Sequence, residues 1–347
     1  MATSSEEIQV NMLKPISLLF KIHAGQWPLV TNTGEGSIKP KAGFNGQYEA
    51  EVLRKAMKGR GTDEQTIIQV VTSCSNEQRQ QISNYYKTMY GRKLVEDFGS
   101  ELSGNFEKTV QALMLSAPRF DAAELKRAMK GLGTDEAALI EIMCTRTNAE
   151  ILAIKLAYKK DYGGDLEDDL RSDTSGHFGK LMVSMSVGGR DEKSGVDVAK
   201  AKDDAKALYD AGEQQRGTDE SRFNVILATR SFEQLRATFD EYAKISKKDI
   251  EKAIKSEFSG DIEKGLLTIV KCARNKAAYF AEQLYKSMKG LGTDDDTLIR
   301  VVVSRCEKDM EQIKHEFQRM YSQPLSQFIA DDTSGDYKKI LLAIVGN

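Results

Sequence analysis

Histidine is nearly absent from this chain of 347 residues: His23, His177 and His315 are the only three, and no two stand at a spacing used by a metal site or a catalytic triad. Most metal-hydrolase and serine-hydrolase chemistry therefore has nothing to start from, and the chain reads as a binding protein, not an enzyme. Cysteine is also scarce. Cys74, Cys144, Cys272 and Cys306 lie far apart with no C-x-x-C pair, which excludes a dense disulfide framework or a zinc cluster and predicts reduced, buried thiols. Neither sign of charge dominates: 50 Lys and Arg face 52 Asp and Glu, for a net charge of -2. A partner sought through a large basic surface, nucleic acid above all, is not expected. No run approaches the roughly 20 apolar residues of a membrane-spanning helix; the early stretch Ile16 to Ile22 is interrupted by Lys21. With no convincing secretory leader either, the expected location is cytoplasmic. At 40% hydrophobic residues the chain carries enough apolar side chains to fold, and its length suggests two or more cooperating units.

Proline is rare and unevenly placed. Of five, Pro15, Pro28 and Pro40 fall within the first 46 residues, and only Pro118 and Pro324 interrupt the rest. Because proline is costly inside helices, this predicts an irregular N-terminal tail followed by a mainly helical body. Apolar residues such as Ala50, Leu53, Ala56 and Met57, then Ile67, Ile68, Val70 and Val71, recur at helical intervals. In the tail, Ile8, Val10, Met12, Leu13, Ile16, Leu18, Leu19, Phe20 and Ile22 supply an apolar face for a short amphipathic helix that Pro15 would start or break. Such a segment suits a protein partner, self-association or packing back on the body.

The body repeats. Gly-Thr recurs at Gly61-Thr62, Gly133-Thr134, Gly217-Thr218 and Gly292-Thr293, spaced 72, 84 and 75 residues apart, each between two helix-like runs. One supersecondary unit used four times predicts an all-α array whose units bury surface against one another. The longer second spacing leaves room for a connector rich in glycine and charge. Fixed offsets from each Thr sharpen the pattern. At +12 stand Cys74, Arg146, Arg230 and Arg305; at +39 stand Glu101, Asp173, Glu257 and Asp332; at +42 stand Gly104, Gly176, Gly260 and Gly335, each preceded by serine.

The segment MKGRGT at residues 57–62 begins where a helix should end, and the last turn of a helix leaves carbonyl oxygens without partners at the negative end of its dipole. Two glycines let the backbone curl and aim several carbonyls at one point. Thr62 is expected to cap the next helix, whose first turn is acidic in all four units: Asp63-Glu64, Asp135-Glu136, Asp219-Glu220 and Asp294-Asp295-Asp296. Oxygens without nitrogen or sulfur suit a hard cation. Ca²⁺ takes about 6–8 of them with tolerance for irregular geometry. Three carbonyls and one carboxylate from 39 residues downstream would leave positions for water or an external anion such as phosphate. The bland reading of any one loop is a glycine-terminated helix followed by a capped one. A P-loop is disfavoured because Lys58, Lys130 and Lys289 precede the first glycine and the context is helical.

These four M-K-G-x-G-T-like loops, each with its distant acid, resemble the endonexin repeats of the annexin family over residues 47–347. The resemblance implies five helices per repeat, a curved disc, a tail at 1–46, repeats at 47–118, 119–190, 203–277 and 278–347, and a connector at 191–202. It implies calcium-dependent binding to anionic, phosphatidylserine-like phospholipid, with lipid phosphate completing the metal shell, and hence peripheral membrane association when calcium rises; leaderless export is compatible with it. Carried over by position, the first Ca²⁺ site uses Met57, Gly59, Gly61 and Glu101, and the second Met129, Gly131, Gly133 and Asp173. The third uses Gly212, Gln215, Gly217 and Glu257, and the fourth Met288, Gly290, Gly292 and Asp332. Weaker secondary sites are implied near Thr62 and Glu64 and their counterparts.

Two departures from the family pattern stand out. Cys74 replaces the arginine at +12 in the first repeat, which removes a local ion pair there. Arg216 occupies the tip of the third loop where some relatives expose tryptophan, favouring contact with anionic headgroups over apolar insertion. Asp121, Glu124, Glu141, Arg146, Arg300 and Asp309 match charged positions at the hydrophilic centre of the annexin disc, and are expected to form a buried, mutually satisfied network between repeat pairs. Two other functions remain open on the residues: a calcium-regulated protein scaffold, and an ion-conducting membrane protein.

Overall fold

The structure is a computed structural model and describes residues 34–346 except Arg60, Leu132 and Lys247. The expected amphipathic segment between Ile8 and Ile22 lies outside the described residues. Among the described residues there are helices and no strands. The first repeat holds α1 (Gly46–Ala56), α2 (Glu64–Ser73), α3 (Asn76–Tyr90), α4 (Leu94–Glu101) and α5 (Gly104–Met114). The second holds α6 (Ala117–Ala128), α7 (Glu136–Thr145), α8 (Asn148–Tyr162), α9 (Leu166–Asp173) and α10 (Gly176–Ser186). The third holds α11 (Val198–Ala211), α12 (Glu220–Thr229), α13 (Phe232–Ser246), α14 (Ile250–Glu257) and the first half of α15 (Gly260–Met288). The second half of α15 opens the fourth, followed by α16 (Asp295–Arg305), α17 (Met310–Tyr321), α18 (Leu325–Asp332) and α19 (Gly335–Val345).

Asn275 divides α15. Its backbone leaves the helical region at φ -157°, ψ 98°, and its side-chain oxygen accepts the Ala278 N–H at 2.9 Å, capping the second half. Prolines sit where helices begin: Pro118 in the first turn of α6, Pro324 capping α18. Within each repeat the first helix packs on the third: α1 on α3, α6 on α8, α11 on α13, α15 on α17.

Packing across repeats does not follow chain order. Repeats 1 and 4 share one core, in which Leu53, Ile67, Phe98 and Leu113 meet Phe280, Leu298, Phe317 and Leu341. Repeats 2 and 3 share another, with Leu125, Ile142, Tyr158 and Leu181 against Phe223, Phe239, Ile254 and Leu266. A small cluster of Ala112, Phe120 and Ile299 lies between them, and the half-buried Phe232 packs against both large cores. All four cysteines are free and buried, as their spacing predicted.

Residues 34–41 lace repeats 1 and 4 together. Ile38 donates to the Cys306 carbonyl at 2.9 Å, the Ser37 hydroxyl donates to Ile344 at 2.5 Å, and Lys41 pairs with Glu49 at 2.5 Å. A side chain at Gly36 would collide with the Glu307 backbone at 2.5 Å, so glycine is required for this approach.

The candidate calcium loops and their acids

Each loop is a closed element. The N–H that follows the Gly-Thr pair reaches back to the preceding helix: Asp63 to Ala56 at 2.9 Å, Asp135 to Ala128 at 2.9 Å, Asp219 to Ala211 at 2.8 Å and Asp294 to Ser287 at 2.7 Å. The intervening chain must therefore turn sharply. Gly59 and Gly61 do so at φ +117° and +92°, values that repeat at Gly131 and Gly133 and at Gly290 and Gly292. A side chain would meet no atom at these positions, so the requirement for glycine is backbone strain, not crowding.

The capping residue is the aspartate, not the threonine expected from sequence. Asp63, Asp135, Asp219 and Asp294 accept the backbone N–H groups of Thr66, Ala138, Arg222 and Thr297 at 3.0–3.1 Å. Hydrogen bonds from the Thr66 hydroxyl and N–H hold the Asp63 carboxyl below its ordinary range. The threonines are thus free for a different task. Thr62, Thr134, Thr218 and Thr293 donate their hydroxyls to Glu101, Asp173, Glu257 and Asp332 at 3.2, 2.7, 2.9 and 2.6 Å. Four times over, an acid 39 residues downstream is brought to the loop and oriented by the loop's own threonine.

Those acids occupy an unfavourable place. Each is the last residue of its helix, α4, α9, α14 or α18, where the dipole disfavours an anion by about 0.3–1 kcal/mol. The carbonyls of Ala56, Ala128, Ala211 and Ser287 at the ends of α1, α6, α11 and α15 accept the closing aspartate N–H groups, and the loop carbonyls that follow them lie beside a second negative helix end. Among the described residues no three His, Cys, Asp or Glu side chains converge as a metal cluster. A donor set of backbone carbonyls with one carboxylate would fit a hard divalent cation with positions open to an outside ligand.

The third loop is built differently. It is one residue longer between its closing groups, Gly217 alone takes positive φ at +88°, and the Gly212 carbonyl accepts the Gln215 N–H at 3.2 Å. Among the described residues this is the proposed ligand carbonyl that is already engaged. At the loop tips Arg216 is exposed and Leu291 is fully exposed. Clefts adjoin two of the acids: Glu64 and Glu101 with Asp336 and Tyr337 across the repeat 1–4 boundary, and Glu136 and Asp173 with Asp261 and Ile262 across the 2–3 boundary.

The central charges are nearly, but not wholly, satisfied. Arg300 donates to Glu141 at 3.0 Å with both side chains almost completely buried, joining the two pairs of repeats. Glu141 Oε1 and Arg300 Nη1 have no hydrogen-bond partner among the described residues, and Glu124 lies 3.6 Å from the latter. The expectation of full mutual satisfaction is corrected at these two atoms: one guanidinium must reach acids on both α6 and α7, and its planar fork cannot align with both.

At +12 the arginines work as expected. Arg146 grips Asp121 with two bonds of 2.7 Å, and Arg230 grips Asp204 at 2.6 and 3.0 Å. In the fourth repeat Phe280 replaces that acid; Arg305 stacks 4.6 Å over its ring and turns to Asp309. In the first repeat the buried Arg79 enters from α3, donating to the carbonyls of Val71, Cys74 and Leu113 and to Glu307.

Comparison with known proteins agrees with this architecture. The family model described as Annexin matches residues 48–113, 120–185, 203–269 and 279–344. Human Annexin A7 is 52% identical over 335 residues, covering 96% of this chain and 68% of its own length. Human Annexin A4 is 54% identical over 314 residues, covering 90% of this chain and 98% of its own length. Among solved structures annexin III superposes with a TM-score of 0.90 at 46% identity, over 91% of this chain and 98% of that one. The chain belongs to the annexin family, whose members are in general calcium-dependent phospholipid-binding proteins.

Proposed function

We propose that this chain binds anionic phospholipid membranes through Ca²⁺ ions that bridge its loop oxygens to lipid phosphate. The observation that carries the reading is the fourfold recurrence of a positive-φ glycine loop whose threonine orients a helix-terminal carboxylate. The carbonyls of Met57, Gly59 and Gly61 with Glu101 would hold the first ion, and those of Met129, Gly131 and Gly133 with Asp173 the second. Gly212, Gln215, Gly217 and Glu257 would hold the third, and Met288, Gly290, Gly292 and Asp332 the fourth. The ion supplies the charge that attracts phosphate, while the protein supplies a pre-curled loop and an oriented acid. Because Gly212 must give up its bond to Gln215, the third site should need the most calcium.

Linked weak sites gain through effective concentration, so membrane binding should rise steeply with calcium. With a formal charge of -2 the chain has little reason to adhere to an acidic surface before the ions arrive. Among the described residues no helix is long and apolar enough to cross a membrane, which agrees with a peripheral mode. The fully exposed Leu291 and exposed Arg216 at the loop tips would meet the headgroup layer. A tail partner or self-association through the N-terminal tail, residues 1–46, would add to this binding without replacing it.

Sedimentation with phosphatidylserine vesicles tests the proposal. Binding should appear with calcium, disappear in chelator, and be abolished by Glu101→Gln, Asp173→Asn, Glu257→Gln and Asp332→Asn together. Binding that persists in chelator or survives the fourfold variant would favour a scaffold in which the loops serve only as caps.

A further inference from the structure

Arg127 stands in the last turn of α6, just before the second loop, and its guanidinium reaches beyond its own helix to acids at two helix starts. Nη2 lies 3.0 Å from Glu124 and 3.4 Å from Asp135, the residue that caps α7 and closes the second loop. Nη1 lies 3.2 Å from Asp296, in the first turn of α16 directly after the fourth loop. Lys108 of α5 approaches Asp296 from the first repeat at 3.5 Å. Glu124 is also 3.6 Å from Arg300, but that guanidinium is committed to Glu141 at 3.0 Å. One arginine is thus the main counter-charge beside two loops whose repeats belong to different cores.

The other repeats lack this arrangement. Arg127 precedes Thr134 by seven residues, and at the same offset from Thr62, Thr218 and Thr293 stand Lys55, Ala211 and Lys286. Among the described residues Lys55 forms no ion pair, and Lys286 turns to Glu282 on its own half-helix at 2.6 Å. Asp63 and Asp219, which cap the helices after the first and third loops, pair with no cation among the described residues. A cation in the last turn of a helix suits the dipole, and Lys55 and Lys286 need no other explanation. Arg127 goes further, because two of its three partners lie outside α6. Burial opposes its charge, but Glu124 and Asp296 more than offset this and raise its pKa.

We propose that Arg127 sets the calcium affinity of the second and fourth loops together, holding both below the affinity that their neighbouring acids would otherwise confer. The inference rests on the calcium reading of the loops given above. Asp135 and Asp296 are not ligands in that reading, so they act on an incoming ion through their charge alone. Arg127 cancels part of that charge at both places and adds a positive charge of its own beside each ion. It touches neither ion and works only through the field around them. The second and fourth sites therefore fill over one shared, higher range of calcium, although they lie in different pairs of repeats.

The test uses the full chain with two sites weakened at a time and Ca²⁺ as the probe in calorimetric titration. Glu101→Gln with Glu257→Gln leaves the second and fourth sites to be read, and Asp173→Asn with Asp332→Asn leaves the first and third. Arg127→Gln should tighten binding about two- to fourfold in the former background, the size expected for a unit charge about one Debye length from a divalent ion at about 0.1 M salt. In the latter it should change nothing. Arg127→Lys, which keeps the charge, should bind as the parent does. Thermal unfolding in chelator gives a readout without bound metal. There Arg127→Gln should melt below the parent, because three acids lose their counter-charge, and added calcium should narrow the gap. An arginine with only a structural role would lose stability and calcium affinity together. Unchanged or weaker calcium binding at the second and fourth sites, or equal tightening in both backgrounds, would overturn the proposal while leaving the reading of the loops intact; no calcium binding by the parent would overturn both.

Discussion

Replacing Asp332 by asparagine separates a ligand from a cap, because the two roles predict changes of opposite kind. The substitution removes one charge and keeps an oxygen that Thr293 can still reach from its present 2.6 Å. Ca²⁺–oxygen distances are about 2.3–2.6 Å. Even at the dielectric constant of water, a divalent ion and a unit charge at that distance attract by about 3 kcal/mol. The amide dipole restores part of this, so the fourth site should weaken by about 2–3 kcal/mol, roughly 30- to 150-fold in its dissociation constant. Stability without calcium should move the other way: an anion leaves the last turn of α18, which relieves about 0.3–1 kcal/mol. Calcium titration by calorimetry and urea unfolding in chelator measure the two quantities on one sample. A variant that loses more than about 1 kcal/mol of calcium-free stability while binding calcium normally would show that Asp332 is a structural cap, and would refute the argument for the other three acids with it.

The Glu141–Arg300 pair makes a sharper demand on stability. Arg300→Met should cost about 3–5 kcal/mol by stranding a buried carboxylate, whereas Glu141→Leu with Arg300→Met should recover most of it; a urea-unfolding double-mutant cycle decides, and a single-variant cost below about 1 kcal/mol would mean that the pair is effectively solvated. Glu150 predicts an acid limb. Burial alone would raise its pKa, but Lys308 and the Thr147 N–H more than offset this and bring it from 4.5 to about 2. A depressed carboxyl contributes stability above its unfolded pKa that is lost as pH falls through its folded one. Thermal unfolding should therefore steepen between about pH 4.5 and 2, and Glu150→Gln should flatten that limb.

The repeats, their loops and the recurring acids were legible because they rest on local rules. Glycine tolerates positive φ, proline starts helices, and a fixed period marks a repeated unit. The exchange between Thr62 and Asp63 was not legible. Both residue types cap helices well, and only the arrival of Glu101 decides which oxygen turns inward. The substitute for the missing arginine at Cys74 was likewise hidden. Arg79 stands at a position with no charged counterpart in the other repeats, and its burial becomes intelligible only when the carbonyls of Val71, Cys74 and Leu113 surround it. Leu291 could have been marked from sequence as an apolar residue between two glycines of a polar loop, though its complete exposure depends on the turn those glycines make.

What the sequence determined by itself is the unit: a helix ending in a glycine turn, an acidic helix start, and a carboxylate at a constant distance along the chain. These follow from backbone sterics and hydrogen-bond supply, which act over a few residues. The tertiary structure decided how the units pair. Repeat 1 shares its core with repeat 4 and repeat 2 with repeat 3, a choice governed by which apolar faces exclude water together. That pairing also placed Arg300 against Glu141 and brought Arg190 and Lys276 over the ring of Phe232. Charge balance along the chain is nearly even, yet desolvation acts on neighbours in space, and only folding determines which charges those are.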